Sequence, residues 1–277
     1  MMKGSTIIII LFIILNGCSD DPTPSANFVV EAFITANEPI NNIKIKGTSP
    51  IDSINVTDEP IPTAIVGISD GTNQNELTFN AATGLYEDLN ELISVSNSQS
   101  YTLSVTVGER EAFAETVVPV PPTGLQLPDS ILAVPQLALS FGLREQITNL
   151  FSSERITLRW DSVPGQSFFV VIENRVDELD PILPEGVPAE AQELLSSFRF
   201  ISEPSETPEF EIIGVALDTY GPHIAKVFTV NQEYIDLFDN VEQDSRDLNE
   251  PPSNVDNAQG IFTAFAVDSV SFNVIRR

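Results

Sequence analysis

Tyr101-Thr102-Leu103-Ser104-Val105-Thr106-Val107 sets the class of this fold. Its apolar side chains, Tyr101, Leu103, Val105 and Val107, recur at every second residue, the period at which a strand places side chains on one face. Thr102, Ser104 and Thr106 face the other way. Gly108-Glu109 makes a hairpin turn, and Ala112 to Val118 runs back alongside. The same grammar extends upstream. Phe28-Val29-Val30-Glu31-Ala32-Phe33-Ile34, Ile43-Lys44-Ile45 and Ala64 to Ser69 read as strands, and Asp70-Gly71-Thr72-Asn73 as a turn whose glycine accepts positive φ. Glu76 to Phe79 returns from it, and Ala82-Thr83-Gly84 turns the chain into Leu85-Tyr86-Glu87. About seven short strands at this spacing predict an immunoglobulin-like β-sandwich over residues 27–120. Val118-Pro119-Val120-Pro121-Pro122 closes it, because consecutive prolines cannot continue a ladder.

Residues 121–277 predict a second sandwich, less regular and carrying helical and loop insertions. Leu125 to Ser140 is apolar but broken by Pro128 and Pro135, and Leu143 to Phe151 has the look of a short helix. Ile156-Thr157-Leu158-Arg159-Trp160 and Phe168 to Ile172 form the clearest strand pair, joined through Asp161 to Gly165. Ile156, Leu158 and Trp160 share a face, which places the single tryptophan in a core between sheets. This spacing resembles the early strands of a fibronectin type III domain. An acidic, proline-rich insertion from Asp177 to Glu190 follows, with Pro188 at the first turn of a helix to Ser197. Glu203 to Pro208 is a polar break, His223 to Val230 a strand, and Asn231 the cap of a helix bearing Tyr234, Ile235, Leu237 and Phe238. Asp244 to Gly260 is a long loop, and Ile261 to Ala266 with Val270 to Ile275 reads as a final hairpin. The expected fold is therefore all-β, with tandem sandwiches.

The N-terminus says where such a chain would sit. Lys3 precedes an unbroken apolar run from Ile7 to Leu15, and Gly17 stands before Cys18, the chain's single cysteine. That is the pattern of a lipoprotein signal peptide over residues 1–17, with cleavage and acylation at Cys18. The run falls short of the ~20 apolar residues that span a bilayer. Acyl chains on Cys18 would anchor the protein through buried methylenes. Ser19-Asp20-Asp21 resembles a short acidic signal for export to the outer face of the outer membrane, and residues 18–26 continue as a stiff, proline-containing tether. With Cys18 lipidated, no thiol remains for a disulfide.

Charge narrows the partners. There are 13 Lys and Arg against 40 Asp and Glu, a net charge of −27. Nucleic acid and anionic headgroups are disfavoured, since both are met by basic patches. The acidity itself keeps a crowded surface protein soluble.

Catalytic patterns are sparse. His223 is the single histidine, which excludes a two-histidine metal site. There is no Gly-x-Ser-x-Gly elbow, cysteine nucleophile, Walker loop or dinucleotide fingerprint, so His223 reads as structural and hydrogen-bonded. Two acidic clusters, Asp177, Glu178 and Asp180, then Asp236, Asp239, Asn240, Glu242, Asp244 and Asp247, carry oxygen ligands suited to calcium but lack calcium-loop spacing. No metal site and no cofactor is expected. The region 231–262 departs most from a plain sandwich. Its loop residues Asn249, Pro251, Pro252, Asn254 and Asn257 form a candidate interaction loop, the alternative being that the segment covers an open sheet edge.

Several stretches together resemble the outer-membrane lipoprotein family of Bacteroidota known as domain of unknown function 4249. They are Val29 to Ile34, Gly84-Leu85-Tyr86, Tyr101 to Val105, Tyr220-Gly221-Pro222-His223, and Pro251 through Phe262. The chain reads Asn257-Ala258-Gln259-Gly260 where a more glycine-rich turn would be expected. The resemblance covers most of the chain and supplies no catalytic residues. It implies a surface lipoprotein encoded beside a TonB-dependent outer-membrane transporter. The expected function is a non-catalytic binding or accessory subunit in nutrient uptake. The rivals are a structural or adhesive module and a carboxylate-based hydrolase.

Overall fold

A computed structural model describes residues 28–48, 59–136, 155–161, 163–182, 199–214, 217–241 and 252–277. The expected helices at 143–151 and 188–197, and the N-terminal 27 residues, lie outside them. The regular elements of the described chain are strands apart from one helix, and no helix in it is long and apolar enough to cross a membrane.

The first unit begins as anticipated. β1 (Phe28–Thr35) and β2 (Ile43–Gly47) pair antiparallel, and β3 (Ile65–Ser69) ends in the Asp70 to Asn73 turn. There the Asp70 carboxylate accepts the backbone N–H groups of Asn73 (2.6 Å) and Thr72 (2.8 Å), which hold its pKa below the ordinary value. β4 (Gln74–Glu76), β5 (Thr78–Asn80) and β6 (Leu85–Glu87) follow, the chain changing sheets at buried Leu77. β7 (Ser100–Val107) and β8 (Arg110–Val117) form the hairpin read from the sequence. Tyr101, Leu103 and Val105 are fully buried, as the alternation requires. The Tyr101 hydroxyl accepts the N–H of Ser96 and donates to the carbonyl of Ser94, both at 2.8 Å, so its polar end is satisfied in the core.

The second unit comprises β9 (Ile131–Val134), β10 (Arg155–Arg159), β11 (Ser167–Asn174), β12 (Arg199–Ile201), β13 (Glu209–Ile213) and β14 (Gly221–Val230). Helix α1 (Gln232–Val241), β15 (Val255–Asp256) and β16 (Gln259–Arg276) complete the chain. Here the sequence-based expectations need three corrections.

β10 and β11 do not pair with each other. β10 pairs with β13, while β11 lies between β12 and β14 in the large sheet. Between Arg159 and Ser167 the chain therefore passes from one sheet to the other and makes no hairpin.

The expected final hairpin is one continuous 18-residue strand, β16. Its first part pairs parallel with β1, its middle antiparallel with β14, and its end parallel with β9. A hairpin would need its two halves to pair with each other, but each has a different partner. Asp268-Ser269 also lacks the glycine that a tight hairpin turn favours.

The expected division at residue 120 does not hold for the strands. Val255, Ala258, Phe262, Ala264 and Ala266 belong to the same core as Val30, Ile45 and Leu103, and β15 extends the sheet of β7 and β8.

These corrections describe one architecture. A nine-stranded sheet runs β12-β11-β14-β16-β1-β2-β6-β5, with β9 on the far part of β16. The paired residues Ala32 and Phe262, then Ala225 and Val270, lie on the same face of it. On that inner face the sheet β15-β8-β7-β3-β4 closes the first core and the pair β10-β13 closes the second. Trp160 is 7% exposed in the second core, edge-on to Phe168 at 5.5 Å. The two sandwiches share a sheet, and β16 is the strand they share.

Gly260 is where that strand meets β1. Its φ is +125°, and a Cβ there would stand 1.9 Å from the Val30 carbonyl oxygen. Asn257, at φ +64°, makes the left-handed step in the preceding turn, a role asparagine fills with little cost. The turn therefore closes without the extra glycine.

Candidate functional site

The opposite face of the nine-stranded sheet is apolar too. β11 reads Ser-Phe-Phe-Val-Val-Ile with no polar alternation, the signature of a strand buried on both sides. Phe168, Val170 and Ile172 enter the second core, while Phe169 and Val171 project to the outer face. There they join Phe228 and Val230 of β14, Phe265 of β16 and Phe33 of β1, with Tyr234 and Ile235 of α1 laid across them.

The rings form one ordered cluster. Phe169 and Phe228 stack at 4.7 Å with planes 3° apart, and Tyr234 stacks on Phe169 at 5.5 Å. Phe265 meets Phe169, Phe228 and Tyr234 edge-on at 5.7, 6.2 and 5.1 Å. Phe33 stacks on Phe265 at 6.1 Å. Offset-stacked and edge-to-face pairs at these separations add about 0.5–1.5 kcal/mol each beyond area burial.

The start of α1 is tied to the first sandwich. Asn231 precedes the helix and its carbonyl accepts the N–H of Tyr234 at 3.1 Å. Its side chain was expected to cap the helix, but the amide instead donates to Thr116 Oγ1 (3.1 Å) and the Val117 carbonyl (2.9 Å) of β8. Thr116 Oγ1 in turn donates to Glu233 at 2.9 Å.

Between the aromatic cluster and the loop after β1 lies a cavity of about 310 Å³. Phe33, Phe169, Phe228, Tyr234 and Phe265 line it, together with the polar side chains of Glu38, Asn41, Asn42 and Lys226. Burial raises the pKa of the Tyr234 hydroxyl, which stays protonated at neutral pH. Lys226 is matched by Glu173 at 3.0 Å, each side chain 20% exposed. Glu38 is exposed and its carboxylate has no partner among the described residues. A small apolar pocket with a few convergent polar groups is the usual form of a ligand site. A second cavity of about 500 Å³ borders it at Phe33, between α1 and the outer face of β1, lined by Val29, Leu237, Pro252 and Ile261.

The residues singled out from sequence fall elsewhere. Cys18, Ser19, Asp20, Asp21, Asn249 and Pro251 lie outside the described residues. Asn254 is committed to structure: its side chain accepts the Phe262 N–H at 2.9 Å and donates to the Phe262 carbonyl at 2.7 Å, as a strand neighbour would. Asn257 makes the turn, and Pro252 borders the second cavity. Of the expected loop, Asn254 and Asn257 support the β15–β16 return.

His223 is 3% exposed, stacks on Phe272 at 5.3 Å, and its Nδ1 lies 3.0 Å from the Gly221 carbonyl. A carbonyl can only accept, so Nδ1 carries the proton. Burial lowers the ring's pKa, and the neutral imidazole serves as a packed donor. Among the acidic clusters, Asp180 receives Arg276 Nη2 at 2.7 Å and Asp236 receives Gln232 Nε2 at 2.8 Å. No three His, Cys, Asp or Glu side chains converge for a metal among the described residues.

The family model named Domain of unknown function (DUF4249) matches residues 20–271. The chain belongs to this family. Among curated proteins none matches it. Of solved structures, domains A168–A170 of titin are 8% identical with a TM-score of 0.24, covering 88% of this chain and 62% of that one. The FN1–FN3 domains of chicken CNTN1 are 13% identical with a TM-score of 0.26, covering 74% of this chain and 59% of that one. The chain thus spans about three-fifths of the length of each. The β-sandwich fold of this family member rests on its own strand pairing.

The cleft itself was missed from sequence. Its signals were present: the unalternating run Phe168 to Ile172, and Lys226 isolated within an apolar strand. Neither says that Phe33 and the Glu38 loop arrive from the other sandwich.

Proposed function

We propose that this protein is a non-catalytic binding subunit, lipid-anchored through Cys18 at the outer membrane surface, whose aromatic cleft holds a small ligand. The cleft carries this reading: five aromatic side chains packed ring against ring line a cavity that they leave unfilled, and Glu38, Asn41, Asn42 and Lys226 line it with them. A structural face would gain dispersion energy by filling that space. The residues lining the cleft include a single carboxylate, Glu38, so it lacks the paired acids of glycoside hydrolysis. Anchoring is supported by Lys3, the apolar run and Gly17 before Cys18. Surface exposure is supported by Ser19-Asp20-Asp21. The accessory role beside a TonB-dependent transporter follows from the family resemblance and gives the bound ligand a destination.

The test uses the full-length protein with a tag after Arg277, extracted in mild detergent from outer membranes. A transporter should co-purify, and Cys18→Ser should abolish both membrane fractionation and capture. Ile201 borders the cleft and is 51% exposed. Ile201→Trp should therefore block the cavity, removing ligand-dependent uptake while leaving fractionation intact. Mature Cys18→Ser protein still found in the outer membrane would overturn the anchor, and unchanged uptake in Ile201→Trp would overturn the cleft.

A further inference from the structure

The balance of charge around the cleft identifies a class of ligand, given that the cleft is a ligand site. Two ionisable side chains of opposite sign line it. Lys226 is already neutralised, its Nζ 3.0 Å from Glu173 with both partners largely sequestered. An anionic ligand would have to displace Glu173 and leave that carboxylate without its nearer cation. Glu38 has no cation of its own among the described residues. It is exposed and lines the cavity together with Pro39, Asn41 and Asn42. The cavity lining therefore carries one negative charge that is uncompensated among the described residues, beside five aromatic side chains. The field of a chain with net charge −27 adds to it at longer range.

We propose that the cleft binds an organic cation: a ligand whose apolar body enters among Phe33, Phe228 and Phe265, and whose ammonium group sits against Glu38. A cation gains from ring quadrupoles as well as from the carboxylate, and both interactions strengthen as the site is desolvated. At about 310 Å³ the cavity is at the small end of ligand pockets. It suits a monocyclic or short-chain amine.

Three probes of one shape separate the possibilities: 2-phenylethylammonium, neutral 2-phenylethanol and anionic 3-phenylpropanoate, each titrated calorimetrically into the full chain at pH 7. The ammonium should bind roughly tenfold more tightly than the alcohol, the scale of a cation–π contact with partial desolvation, and the carboxylate more weakly than either. Glu38→Gln should bring the ammonium down to the alcohol's affinity and leave the alcohol unchanged. Phe33→Ala should weaken both. If alcohol and ammonium bind alike, or Glu38→Gln does not move the ammonium, the cation assignment is wrong and the cleft stands as a neutral site. If no probe binds, or Phe33→Ala alters none of them, the reading of the cleft as a ligand site falls with it.

Discussion

The two faces of the nine-stranded sheet are made by the same strands and yet are finished differently. On the inner face, alternate residues such as Val30, Ile45, Phe262, Ala225 and Phe272 are sealed under two further sheets. Fully burying a large side chain there contributes about 1.5–3 kcal/mol. On the outer face, Phe33, Phe169, Phe228 and Phe265 are covered by a single helix of ten residues and a loop. A helix is narrower than the sheet it crosses, so it leaves cavities on either side of its line of contact. The inner face holds the fold together. The outer face buries Phe169, Phe228 and Phe265 as well, but its cover leaves cavities beside them.

Substitutions can break this contrast. The largest effect is expected at Gly260→Ala. The new Cβ meets the backbone of Val30, which cannot rotate away as a side chain would, and φ of +125° is itself strained for alanine. The cost should be about 3–5 kcal/mol, measured by urea unfolding. A variant of ordinary stability would mean that β1 and β16 are not held in this register.

Trp160→Ala comes next, at about 3–5 kcal/mol for an aromatic removed from a core. Trp160 is the single tryptophan, so native emission should be blue-shifted and should report the second sandwich alone. Because β16 is common to both cores, circular dichroism should show the first sandwich losing stability in the same transition. Two separated transitions would show that the shared strand does not couple them.

Tyr101→Phe is milder. It leaves the ring in place and orphans the Ser96 N–H and Ser94 carbonyl, for about 1–3 kcal/mol. Outer-face Phe33→Ala should cost less than the core changes, about 1–2 kcal/mol, since its ring is only partly buried. A loss as large as that of Trp160→Ala would mean that this smaller cluster carries as much of the fold as the inner cores.

The smallest effect is a pH slope. Asp218 has a buried carboxylate oxygen with no partner among the described residues, and burial raises its pKa from 3.8 to about 6. The folded protein then keeps a proton that the unfolded chain releases between these values. Stability from this group is present below pH 3.8 and is lost as pH rises to about 6. His223 acts oppositely. Its pKa is lowered by burial, so the unfolded chain gains the proton first and stability falls as pH drops below 6.5. Asp218→Asn should raise Tm at pH 7 relative to wild type and leave it nearly unchanged at pH 3.5. An equal shift at both pH values would exclude the carboxyl's ionisation as the cause.

What the sequence determined by itself was local. The alternation of Tyr101, Leu103 and Val105 fixed a face because successive side chains of any extended chain point to opposite sides. Asp70-Gly71 and Gly108 marked turns because few residues accept the backbone they require. Tyr234, Ile235 and Phe238 marked a helix by their spacing. Tertiary structure alone decided partnership. Nothing in Gln259 to Arg276 states that its first part lies parallel to β1 and the rest antiparallel to β14. That choice depends on which distant strands offer matching faces once both cores close. The cleft belongs to the same category. Phe33 and Phe169 are remote in sequence and line one cavity because β14 and β16 join their strands into one sheet. Side-chain direction follows from backbone geometry one residue at a time, whereas a cavity is a property of which surfaces are brought together and of what fails to fill the space between them.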